Sequence, residues 1–115
     1  MTDRDQTGEE TSITLVRRGD VDDDAVAYAL KRMHSVAQHI HEPILFGRVT
    51  LSHPSDPGRA RPWTAQATFD VNGDVVRAEA DAATMTEAID QAADHLREQL
   101  RHRHERRLAR RREPA

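Results

Sequence analysis

The sequence predicts an α+β fold class: a single domain of order β-α-β-β-β-α, with a four-stranded mixed sheet and two helices on one face. Three observations carry that prediction. The apolar period switches from alternate residues to every third or fourth residue and back again. Asn72-Gly73, the dipeptide that suits a two-residue hairpin, lies between two alternating segments. Thr84 followed three residues later by Glu87 reads as a capping box at the start of a second helical stretch.

The first strand is expected over residues 12 to 17, "SITLVR", with Ile13 and Leu15 facing inward. The following stretch takes a helical period, with Val26, Leu30, Met33, Ala37 and Ile40 on one stripe. Asp22 to Asp24 suit its N-cap and first turn, where carboxylates meet the positive end of the helix dipole, and Pro43 stops it. Residues 45 to 52, "LFGRVTLS", return to strand, with Val49 and Leu51 on one face and Arg48, Thr50 and Ser52 on the other. A loop with three prolines in ten residues follows. In "WTAQATFDV" Trp63, Ala65, Ala67, Phe69 and Val71 then alternate with polar residues, and after the hairpin Val76, Ala78 and Ala80 do the same.

The last helix should bury Met85, Ile89, Ala92, Leu96 and Leu100. Beyond Leu100 the stripe is broken by Arg103, His104 and Arg107, so this helix is expected to leave the body and carry its arginines into solvent. The expected core joins Leu30, Met33, Trp63, Phe69, Val76, Ile89 and Leu96. The domain divides accordingly into an acidic, disordered N-terminus at 1 to 11, a folded unit at 12 to 100, and a basic helical extension and tail at 101 to 115.

Composition narrows the function. The chain has 115 residues, no cysteine and a formal net charge of -3. Neither a disulfide framework nor thiolate chemistry is available. The polar, acidic N-terminus is unlike a signal peptide and no apolar run is long enough to span a bilayer, so a cytoplasmic protein is expected. The small total charge hides a dipole: residues 1 to 24 hold eight acids and three arginines, residues 95 to 115 eight arginines and three acids. A basic end beside a folded body is the footprint of a polyanion binder, although an arginine-rich helix end is also often only solvated.

Other chemistry finds little support. His34, His39, His41 and Glu42 do not converge at the spacing a zinc site needs, and His102 and His104 lie on different helix faces. Asp20, Asp22 and Asp24 resemble the start of a calcium loop, but Ala25 and Lys31 replace its glycine and closing glutamate. Ser52 and His53 are strand neighbours that point apart and cannot form a nucleophile and base. Trp63 falls in the inward register. No catalytic residue, metal ligand or cofactor is expected, and the protein is read as a non-enzyme.

The order of elements, and above all "VNGDVVRAEADAATMTEAIDQAADHLREQL" from residue 71 to 100, resembles the ribosome hibernation promoting factor family, also called the sigma-54 modulation or ribosome-associated inhibitor family. Thr84, Met85, Thr86, Ala88, Ile89 and Asp90, then Leu96 to Leu100, stand where the family's helix-opening and Leu-Glu-Arg-Gln-Leu patterns lie. The likeness spans roughly residues 12 to 107 and is sharpest in the second hairpin and last helix. It implies a stress factor that silences translation without chemistry, seated in the small ribosomal subunit where mRNA and tRNA lie, with basic helices on rRNA. The chain resembles the short type, which lacks the dimerisation domain that joins two ribosomes. Thr86 replaces a family tyrosine, and "LREQL" exchanges a glutamate and an arginine, which turns Arg97 by about 100° from the expected cation.

The residues assigned to RNA on this reading are Lys31, Arg32, Arg97, Arg101, His102, Arg103, Arg106, Arg107, Arg110 and Arg111. The expected partner is the small subunit and its rRNA, with no membrane, DNA or small-molecule substrate. An alternative stays open at this stage: a protein-interaction module whose arginine-rich C-terminal helix docks an acidic partner.

Overall fold

The structure, a computed structural model, describes residues 13–53 and 62–112, and for residues 111 and 112 the backbone alone. The expectations for residues 1 to 11 and for the end of the tail lie outside the described residues.

The elements are β1 (Ile13–Gly19), α1 (Asp23–Ala37), β2 (Ile44–His53), β3 (Trp63–Val71), β4 (Asp74–Ala82) and α2 (Met85–Arg112). They form one four-stranded sheet of order β1-β2-β3-β4, parallel between β1 and β2 and antiparallel elsewhere. This is the predicted mixed sheet. Asp22 caps α1, its Oδ1 accepting from the Ala25 amide at 2.9 Å. Thr84 caps α2, its hydroxyl accepting from the Glu87 amide at 3.1 Å. Asn72 and Gly73 both take positive φ, 54° and 97°, which is what a two-residue hairpin matched to strand twist requires. Gly19 is required for another reason: at φ +82° a Cβ there would lie 2.3 Å from the His53 carbonyl oxygen.

The core lies between the sheet and the two helices. Phe69, Met33, Leu51, Ile89, Leu96, Val49 and Val71 are fully buried, with alanines from β3, β4 and α2 letting the layers approach. Three expectations need correction. Leu30 is half-buried and outside the core, because the inward face of α1 is set by Ala29, Met33, Val36 and Ala37. Trp63 is half-buried at the core's margin, where its ring stacks on His53 with centroids 3.5 Å apart. Nor does Pro43 stop α1. The helix ends at Ala37, and two tight turns, His39 to Val36 and Ile40 to Ala37, lead away from it.

The opposite sheet face is largely polar. A register shift between Ile44 and Phe46 leaves Leu45 63% exposed and puts Phe46 at the sheet's end. The outer edge of β4 is screened by α2, since His95 Nδ1 lies 3.2 Å from the Glu79 carbonyl and the Gln99 amide donates to that of Arg77.

Candidate nucleic-acid interface

The buried stripe of α2 does not end at Leu100. At about 100° per residue, Arg103 and Arg107 continue the line of Leu96 and Leu100. Arg103 is only 7% exposed. Its Nη1 donates to Glu42 Oε2 at 2.6 Å, its Nη2 to Asp74 Oδ2 at 2.9 Å and to the Val71 carbonyl at 3.2 Å. Arg107 Nη1 lies 3.0 Å from the other Glu42 oxygen. One guanidinium thus ties the segment after α1, the β3–β4 hairpin and α2 together. The expectation that the helix leaves the body after Leu100 is corrected here, and Arg103 is withdrawn from the cations free to meet a phosphate.

Charge follows this geometry. The hydrogen bond from Arg103, then the charges of Arg103 and Arg107, hold the Glu42 carboxyl below its ordinary range against the opposing effect of burial. Arg103 is raised, first by its bond to Glu42.

Arg32 is also committed in part. Its Nε donates to Asp90 Oδ1 at 2.9 Å, and its Nη2 lies 3.5 Å from Asp94. The Tyr28 hydroxyl donates to the same Asp90 oxygen, and that bond, followed by burial, raises the tyrosine above its ordinary range. These contacts lock α1 to the first half of α2.

The remaining basic side chains sort by helix face. Arg97, Arg101 and His104 follow the flank of α2 toward α1, whereas His102, Arg106 and Arg110 follow the flank toward β4. Asp94, Glu98 and Glu105 occupy the ridge between the flanks. Arg101 reaches Glu98 at 2.5 Å and Glu105 at 3.3 Å, Arg97 lies 3.6 Å from Asp94, and His102 lies 3.4 Å from Glu98. All of these pairs are solvent-exposed and contribute little to stability. Lys31, Arg106 and Arg110 are exposed and make no ion pair among the described residues. The side chain of Arg111 lies outside the described residues.

Sequence reasoning missed Glu42 and Asp74 as anchors. The sequence shows only that Arg103 stands seven residues after Leu96, in line with the inward stripe; which acids meet it is set by the fold. It also missed a cleft of about 320 Å³ between the end of α1 and α2, lined by Val36, Ile40 and Leu100 and by several cationic side chains. Among the described residues, no three histidine, aspartate or glutamate side chains converge as a metal site would. No helix among them is long and apolar enough to cross a membrane.

Comparison with known proteins follows the fold. Residues 13–108 match the sequence model of the family described as sigma 54 modulation protein / S30EA ribosomal protein. A search of curated proteins finds no match. Among solved structures, the N-terminal domain of Thermus thermophilus Protein Y superposes with a TM-score of 0.64 at 23% identity, covering 78% of this chain and 96% of that one. A ribosomal subunit interface protein from Coxiella burnetii does so with a TM-score of 0.61 at 17% identity, covering 76% and 91%. At these identities the two likenesses establish the fold.

Proposed function

The chain belongs to the sigma 54 modulation protein / S30EA ribosomal protein family, and from that membership we propose a ribosome-associated translation inhibitor. It occupies the mRNA and tRNA channel of the small subunit, in the cytoplasm, and acts by blocking rather than by catalysis. The observation that supports this reading is the pair of cationic flanks on α2. Arg97 and Arg101 on one side, and His102, Arg106 and Arg110 on the other, stay at the surface while Arg103 is spent on the fold. Lys31 adds a further exposed cation from α1. Arginine suits rRNA because its planar fork engages phosphate bidentately and its plane stacks on bases.

The test is binding to isolated small subunits across a salt series, by sedimentation. Counterion release predicts affinity falling with a log-log slope of about -0.7 to -0.9 per phosphate contact. A variant with Arg97, Arg101, Arg106 and Arg110 changed to Gln should melt with the parent, lose most binding, and fail to inhibit a cell-free translation reaction. Binding that is flat in salt, or undiminished in the variant, overturns the reading in favour of an apolar docking surface.

A further inference from the structure

We propose that the cleft between α1 and α2 takes the base of one unpaired nucleotide of a bound RNA chain. The proposal rests on the ribosome-associated reading and specifies what its helix pair would hold.

The cleft arises from a mismatch of helix lengths. The two helices are locked side by side where Tyr28 and Arg32 meet Asp90. But α1 ends at Ala37 while α2 runs on to Arg112, and the chain turns from α1 toward β2 at Glu42. Leu100 is therefore left half-buried with no helix over its α1 side, beside Val36 and the half-buried Ile40. These three side chains make an apolar floor. The Arg103–Glu42 pair closes one end as a fixed wall. The volume, about 320 Å³, lies at the small end of ligand-site sizes, suited to one flat ring system rather than a helix or peptide.

The rim supplies what a nucleotide needs around its base. Arg97, Arg101 and His104 lie on one wall, and His39 and His41 on the other. The carboxylate partners of Arg97 and Arg101 belong to the solvent ridge of α2, outside the cleft, and pairs so exposed exchange readily for a phosphate. His39 Nδ1 is 2.9 Å from the Ser35 carbonyl, which can only accept, so this nitrogen carries the proton. In the neutral ring Nε2 is then an acceptor for an exocyclic amino group. A guanidinium plane beside an apolar floor also stacks on a base. The ribosome-associated reading favours a nucleotide within a chain over a free one.

The test uses the full-length protein and short single-stranded RNAs with one 2-aminopurine. Entry of the base into the cleft should change its emission on binding and shift the ring resonances of His39, His41 and His104, leaving His34 and His95 in place. Ile40→Trp, which fills the floor without altering charge, should weaken single-stranded RNA about tenfold or more and leave duplex RNA unchanged. If that variant does not fold, the emission and histidine shifts of the native protein decide. RNA bound with neither signal, or equally by Ile40→Trp, overturns the cleft while leaving the ribosome reading intact. Tight binding of free mononucleotides in preference to RNA overturns the proposal in favour of a small-molecule site. Failure to bind small subunits or any RNA overturns both.

Discussion

The two halves of α2 solve the same geometric problem with opposite chemistry. From Met85 to Leu96 the inward stripe is apolar: Ala88, Ile89, Ala92, Ala93 and Leu96 are fully buried against β3 and β4. From Leu100 onward the same stripe carries Arg103 and Arg107, and the body meets them with Glu42 and Asp74 in place of a hydrophobic wall. The first half is held by removal of apolar surface from water and needs no particular partner. The second is held by directional bonds to named atoms, and becomes unfavourable if either side loses its match. The contrast shows how a helix can be anchored along its whole inward face while remaining basic on both flanks.

The comparison can be broken most severely in the apolar half. Ile89→Ala should cost about 2 to 5 kcal/mol, since the side chain is fully buried between helix and sheet. Denaturant midpoints read this directly. A change well below 1 kcal/mol would mean that this half is not the anchor.

The ionic half should respond less strongly, and in a way that sharpens the contrast. Arg103→Ala leaves Glu42, whose side chain is 19% exposed, with Arg107 as its remaining cation, and should cost about 1 to 3 kcal/mol. Truncation after Leu100 removes Arg107 as well and should be at least as destabilising, whereas truncation after Arg107 should leave the melting temperature nearly unchanged. Two truncations that melt alike would show the guanidinium tie to be ornamental.

The smallest effect is in pH. Because the folded protein depresses the Glu42 carboxyl, its contribution is fully present above the ordinary glutamate range and is lost as pH falls through the lowered value. Stability of the native chain should therefore fall more steeply on acidification than that of Arg103→Ala. Parallel curves would show that the pair is not coupled to folding.

How far the fold was legible can be judged from the same helix. Its start was legible because Thr84 and Glu87 cap locally, and Asn72-Gly73 likewise encodes its turn within two residues. Its far end was not. Whether Arg103 is solvated or buried depends on acids 61 and 29 residues away in sequence, at positions 42 and 74, and hydrophobic periodicity does not register a paired charge as inward. The displaced stripe of α1 has a related cause. Ala29 is buried and Leu30 is not, while Met33 and Ala37 are buried and Val26 and Ile40 pack against the core, so the true stripe lies slightly to one side of the one that residue volume marks. For the candidate site, the residue types were readable, but their division into fold-committed and surface cations needed the packing. The cleft was invisible because it is made by one helix stopping short of the other.

The stack of His53 on Trp63 joins the last residue of β2 to the first of β3, a clasp across the ends of the two strands. Trp63 is the chain's one tryptophan. Its emission is therefore a built-in gauge of ring separation at that junction, requiring no label. Any ligand, protease cut or substitution that parts the strand ends should alter the tryptophan yield while the helical circular dichroism stays constant. His53→Ala supplies the fully opened reference signal.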